Sequence, residues 1–167
     1  MDDRPVFIDA TTFLGMHHAD ATLRARSLGL FTRKFRERVH MNYEQVGICD
    51  AVIWKQSRAV QDQYYPFMDL LHSVMAIVRG GYSRSDLVCA LELPDLRQLQ
   101  PEQALQVAQV LTTNGWLATH DPVLRRLQCL EGKLWSFEDG APSASFPEEL
   151  QALYAVSTAF VYEPGSK

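Results

Sequence analysis

The feature that most constrains this chain is an unbroken apolar run near its start. Val6-Phe7-Ile8 is β-prone and lacks the alternation of a strand with one solvated face, so it predicts a central parallel strand covered on both sides. Asp9 follows directly. Ligands of open α/β sheets bind beyond the carboxyl ends of the strands, which gives a carboxylate there a functional interpretation. A turn or helix-capping role explains the same residue equally well.

Helical and strand patterns alternate along the rest of the chain. They predict helices over 22–38, 42–63, 67–78, 101–113, 122–127 and 147–160, and strands over 39–41, 116–119 and 133–137. Residues 79–84 are predicted as a loop, and 86–99 fit a strand or a short helix. The alternation favours an α/β fold in which a mainly parallel sheet has helices on both faces.

Length and composition indicate one folded domain spanning 1–167, with a core over about 5–137 and a closing helix over about 147–160. The chain has 167 residues, of which 47% are hydrophobic. Cys49, Cys89 and Cys129 are widely spaced and form no CxxC, so neither a disulfide framework nor a zinc site is indicated. The acidic start and the lack of a long apolar stretch predict a cytoplasmic protein that does not contact membranes.

One predicted helix carries a basic face. The cations that end it are Arg33, Lys34, Arg36 and Arg38, and they are candidates for contacts to RNA phosphates. A solvated helix face explains them equally well. The formal net charge of −4 argues against a general nucleic-acid coat, so any such contact would depend on this local stripe.

Three further acids stand out by their positions. Asp50 lies in the apolar stretch 46–54, where an unpaired carboxylate is costly to desolvate, so it is either paired or a ligand. Glu44 lies in the first turn predicted after Asn42, where the helix dipole already explains it. Asp121 follows the predicted strand 116–119 and is a second carboxylate at a strand end.

Two motifs carry a family resemblance. Phe7-Ile-Asp9-Ala-Thr-Thr-Phe-Leu14 resembles the opening motif of PIN-domain proteins, and Trp116-Leu-Ala-Thr-His-Asp121-Pro-Val-Leu resembles their late strand-to-acid motif. The helix that includes 99–108 is similar to the family's helix before that strand. The resemblance implies a three-layer α/β/α fold and an acidic cluster that binds Mg²⁺ or Mn²⁺ to cleave RNA. It also implies homodimerisation and, as for toxins of the family, an antitoxin-like protein partner.

The resemblance assigns Asp9 and Asp121 as the first and last acids of a metal-binding catalytic set. Asp50 is the choice for the acid on the second helix, with Glu44 as the fallback. The chain departs from the family at Gln103, where an Asp is common, and neighbouring Glu102 is the nearest replacement ligand. Two functions follow: a metal-dependent endoribonuclease, or a PIN-like module with weakened catalysis. Such a module would bind a protein or nucleic acid, or serve other metal-dependent chemistry on a small molecule.

Overall fold

A computed structural model describes residues 3–165. Within that range the elements follow one another as β1 (Val6–Ile8), α1 (Ala10–Gly15), α2 (Ala21–Arg33), β2 (Val39–Asn42), α3 (Tyr43–Trp54), α4 (Arg58–Val74), β3 (Ile77–Gly80), α5 (Arg84–Glu92), α6 (Pro101–Thr112), β4 (Trp116–Ala118) and α7 (Glu148–Ser157). Short 3-10 turns occupy Pro94–Leu96, Leu124–Arg126 and Gln128–Leu130. No helix in this part of the chain is long and apolar enough to cross a bilayer.

The strands form one parallel sheet in the order β3-β2-β1-β4. Phe7 of β1 stands in register with His40 of β2 on one side and with Leu117 of β4 on the other. The direction of the strand order reverses between β1 and β4, which makes the gap beyond their carboxyl ends the topological switch point of the sheet. The predicted α/β fold with a mainly parallel sheet and three layers is confirmed.

Each face of the sheet has its own hydrophobic core. Ile8 packs on the side that contains Phe13 and Phe31, whereas its neighbour Phe7 packs on the opposite side with Val107. Successive side chains of a strand point to opposite faces, so a strand between two cores needs apolar residues at every position. This explains why the run at 6–8 shows no alternation.

The helix predicted over 42–63 is two helices, and the break predicted at 64–66 does not exist. Ser57 caps the start of α4 by accepting a hydrogen bond from the Val60 N–H, and α4 then runs through Pro66. Proline inside a helix removes one backbone hydrogen bond and crowds the preceding turn. Pro66 is exposed while Tyr64 and Phe67 beside it are fully buried, so side-chain packing holds the helix together.

Other boundaries also moved. The basic helix ends at Arg33, residues 77–80 form β3, and residues 84–92 form a helix rather than a strand. The strand predicted at 133–137 is a single bridge from Leu134 to Leu117. His17 is buried among aromatic rings, and its Nε2 lies 2.7 Å from Ser157 Oγ of α7. Burial lowers the pKa of His17 to about 3, so the ring is neutral at physiological pH.

Candidate functional site: a polar crevice at the sheet switch point

Several buried polar side chains meet around Asp9 at the carboxyl ends of β1 and β4. Asp9 follows the last residue of β1, and Thr119 follows the last residue of β4, its neighbour in the sheet. Both side chains are buried. The sequence prediction that Asp9 lies at the end of a central strand is confirmed.

Asp9 is held by hydroxyl and amide donors from its own surroundings. Its Oδ1 accepts hydrogen bonds from Thr11 Oγ1 at 2.7 Å and from the Thr12 N–H at 2.9 Å. Its Oδ2 accepts one from Thr119 Oγ1 at 2.5 Å. Burial raises the pKa of the Asp9 carboxyl, and the hydrogen bonds from these threonines act in the opposite direction. The helix-capping role foreseen for Asp9 is therefore real, since the Thr12 N–H belongs to the first turn of α1.

Thr119 links Asp9 to the second carboxylate of the crevice. Its Oγ1 donates to Asp9 and accepts a hydrogen bond from the Asp121 N–H at 2.9 Å. The side chain of Asp121 then caps the following turn, because its Oδ1 accepts from the Val123 N–H at 2.7 Å. Its Oδ2 accepts from Gln103 Nε2 at 2.7 Å. Gln103, where the PIN-domain resemblance implies an acid, thus donates a hydrogen bond to Asp121.

Primary amides line the same edge of the sheet. Gln45, in the first turn of α3, accepts a hydrogen bond from the Ala10 N–H at 2.8 Å through its Oε1. Asn42 at the end of β2 donates to Gln106 Oε1 at 2.5 Å and to Gln109 Oε1 at 3.2 Å. Gln106 is 1% exposed, and its Nε2 has no hydrogen-bond partner among the described residues. Neutral amides therefore occupy much of the space in which the resemblance implies carboxylates.

The remaining acid candidates form no hydrogen bond with Asp9 or Asp121 among the described residues. Gln45 is the α3 residue that accepts a hydrogen bond at the end of β1. Asp50 is half-buried without a hydrogen bond or ion pair in the described chain, and desolvation raises its pKa. Glu44 is exposed and accepts a hydrogen bond from the Tyr82 hydroxyl at 2.5 Å. Glu102 is half-buried in the first turn of α6, where the helix dipole accounts for it.

The crevice offers two carboxylates, rather than a cluster of three or four, to a divalent metal. Within residues 3–165, no three His, Cys, Asp or Glu side chains come close enough together to hold one ion. Protein donors bond both oxygens of Asp9 and of Asp121. A carboxylate oxygen has two lone pairs, so Asp9 Oδ2 and Asp121 Oδ2, which accept one hydrogen bond each, keep one lone pair each for a ligand.

The basic residues of the sequence analysis lie at the other edge of the sheet. Because β1 and β2 are parallel, α2 must return from the carboxyl edge to the amino edge before β2 begins. Arg33 therefore lies near the start of β2, where it pairs with Glu138, and Lys34 pairs with Glu37. Arg36 and Arg38 are exposed in the turn between α2 and β2. The structure thus separates the cations and Asp9 by the length of the strands.

His120 contacts both the crevice and α2, since its N–H donates to Thr11 Oγ1 and its ring lies against Ser27. Its ring stacks on Phe137 with centroids 4.5 Å apart, and its Nε2 lies 2.8 Å from Ser27 Oγ. Burial and nearby cations, Arg125 first among them, lower the pKa of His120 to about 4, so the ring is neutral at pH 7. A methyl group at Gly15 would lie 2.2 Å from Ser27 Oγ, which shows how closely α1 approaches this pair.

Sequence reasoning found both carboxylates of the crevice and missed most of its amides. Asn42 and Gln45 were recognised only as a helix start, a role that the hydrogen bond from the Gln45 N–H to Asn42 Oδ1 confirms. The available signal is the spacing of Gln103, Gln106 and Gln109, which places a glutamine at every third position along α6. A repeated polar position that faces a core indicates a buried network.

The fold and the crevice define an α/β/α protein with a hydrogen-bonded polar site at the switch point of a parallel sheet. The chain belongs to a family of unknown function, DUF6190, whose sequence model matches residues 1–166. None of the curated proteins matches the sequence.

Proposed function

We propose that the protein is a PIN-like module that binds a nucleic acid without cleaving it. The observation that carries the proposal is the state of the two crevice carboxylates. Asp9 receives hydrogen bonds from Thr11, Thr12 and Thr119, and Asp121 receives one from Gln103. In a site that hydrolyses phosphodiester bonds with a metal ion, we expect the carboxylate oxygens to point at the ion. Here the oxygens of Asp9 and Asp121 accept hydrogen bonds that hold strand ends and turns together.

The substitution pattern supports the same conclusion. Gln103 donates to Asp121, and Gln45 accepts from the Ala10 N–H next to Asp9, so neutral amides lie beside both carboxylates. An amide donates to a carboxylate and adds no negative charge, so it stabilises the carboxylate pair without a cation. The crevice can therefore keep its structure without a bound metal ion to neutralise the two carboxylates. Nucleic acid as the partner rests on the basic residues at the amino edge of the sheet.

A metal-dependent ribonuclease is the second candidate function. It is favoured by one observation, the link from Asp9 through Thr119 to Asp121 at the switch point. In that case the carboxylates of Asp9 and Asp121 would hold Mg²⁺ or Mn²⁺ through their remaining lone pairs, and the ion would supply the activated water. The two candidates make opposite predictions about the same variants.

The test measures Mn²⁺ binding by calorimetry and cleavage of single-stranded and structured RNA for the wild type and two substitutions. Gln103→Asp adds a carboxylate beside Asp121, and Gln103→Asn is its matched neutral control. We expect no cleavage by the wild type and Mn²⁺ binding by Gln103→Asp that is at least about tenfold tighter than that of Gln103→Asn. Cleavage by the wild type that Asp9→Asn abolishes would refute the proposal and establish the ribonuclease.

A further inference from the structure

A large cleft opens at the amino edge of the sheet, opposite the polar crevice. Its volume is about 910 Å³, which falls in the range of small-molecule sites. The cleft lies where the chain enters β1, β2 and β4, so its floor includes Val6, His40 and Trp116. Nothing in the crevice around Asp9 requires this second concave surface.

Cations dominate the lining of the cleft. The lining residues include four cations and two acids. The cations are Arg4, Arg33, Lys34 and Arg38, and the acids are Asp3 and Glu37. Glu37 and Glu138, which pair with Lys34 and Arg33, have side chains more than half exposed. The cations are less exposed, at 33% for Arg33 and 17% for Lys34, but water reaches both glutamates, so an incoming anion can compete with them. Arg38 has no ion pair within the described chain.

Two tryptophans hold these cations in place. The guanidinium of Arg4 lies 3.8 Å from the ring centroid of Trp116, and Lys34 Nζ lies 5.0 Å from that of Trp135. The two indole rings meet edge to face with centroids 6.5 Å apart. The indole N–H of Trp135 is buried and has no acceptor among the described residues. The cleft therefore combines positive charge with flat stacking surfaces.

From this combination we infer that the cleft binds a nucleotide unit, either a free nucleotide or one unit of single-stranded RNA. The guanidinium and ammonium groups would bind the phosphate, and the tryptophan–arginine layer offers a surface on which a base can stack. His40 adds no charge at neutral pH, because burial and the nearby Arg38 lower its pKa. The inference rests on the proposed function in one respect, that the partner is a nucleic acid.

Tryptophan fluorescence provides a direct readout. The chain has three tryptophans, and the one outside the cleft, Trp54, is 69% exposed on α3. In a Trp54→Phe background, quenching therefore reports on Trp116 and Trp135. The probes are uridine 5′-monophosphate, a ten-nucleotide uridine RNA and poly-glutamate, all titrated in EDTA so that metal and cleavage play no part.

We expect the RNA to quench both indoles and Arg38→Glu to weaken its binding roughly tenfold at low salt, with a shallower salt dependence. Arg58→Glu, an exposed arginine on α4, is the matched control and should change affinity less than about twofold. Arg33→Gln provides a second cleft variant, and thermal denaturation verifies that each variant is folded.

Binding of the RNA alone identifies a strand as the occupant, whereas comparable binding of the mononucleotide identifies a free nucleotide. Equal quenching by poly-glutamate, or RNA binding that neither cleft variant weakens, would overturn the inference. RNA binding that is insensitive to the cleft variants would leave the proposed non-cleaving module intact. Metal-dependent cleavage would refute the proposed function without affecting the EDTA measurement, so the two failures are distinguishable.

Discussion

The Thr119→Val substitution tests whether the polar crevice is a structural network. Thr119 is fully buried, and its hydroxyl both donates to Asp9 Oδ2 and accepts from the Asp121 N–H. Valine keeps the branched shape and removes both hydrogen bonds. A hydrogen bond to a charged group contributes about 1.5–3 kcal/mol, and a buried N–H left without a partner costs about 1–3 kcal/mol. Because the two losses share one atom, we expect the free energy of unfolding to fall by about 3 kcal/mol.

Thr119→Ser is the matched control, because it keeps the hydroxyl and deletes one buried methyl group, at a cost of about 1 kcal/mol. Urea denaturation at several pH values measures both variants. The penalty of Thr119→Val should grow as pH rises through the pKa of Asp9, since the ionised carboxylate loses more than the protonated one. In an Asp9→Asn background the pH dependence should disappear. A Thr119→Val penalty no larger than that of Thr119→Ser, at every pH, would refute this account of the crevice.

Three further substitutions probe the fold around the site. The stability of Asp9→Asn relative to the wild type should increase as pH rises from about 4. Burial raises the pKa of Asp9 in the folded state, so ionisation of the native carboxyl destabilises the wild type. A difference in urea midpoints that moves the other way between pH 4 and 7 would contradict this. Gly15→Ala should lower the thermal midpoint and destabilise the fold by roughly 1–3 kcal/mol, because the new methyl group would clash with Ser27 Oγ. An unchanged midpoint would show that α1 can shift to make room for the methyl group. Pro66→Ala should stabilise by about 1 kcal/mol or more, since an exposed helix position regains its backbone hydrogen bond; destabilisation would mean that the proline ring contributes packing.

The helix predictions show which information was local. Pro101 at the start of α6 and the Asn42 cap of α3 were predicted correctly, because capping depends on a few adjacent residues. Pro66 was taken as a helix break because its local cost is large. The packing of Tyr64 and Phe67 against distant elements offsets that cost, and nothing in residues 64–66 reports it.

The site predictions divide in the same way. Asp9 and Asp121 were predicted at strand ends because each follows a strand with a recognisable pattern, and the structure brings them together through Thr119. The choice of Asp50 rested on the cost of a carboxylate in an apolar stretch. Asp50 as a ligand stays a prediction: α3 turns Gln45 toward the end of β1, and Asp50 is half-buried without a hydrogen bond in the described chain.

The sequence by itself determined the parallel α/β sheet, the central position of β1 and the carboxylate at its end, because apolar runs and their spacing are local properties. Only the tertiary structure decided what surrounds that carboxylate. Gln45 bonds Ala10 across 35 residues of chain and Thr119 bonds Asp9 across 110, so both converge on the switch point. The basic turn after α2 lies at the opposite edge. Such distances depend on strand order and helix rotation, which no short stretch of sequence encodes.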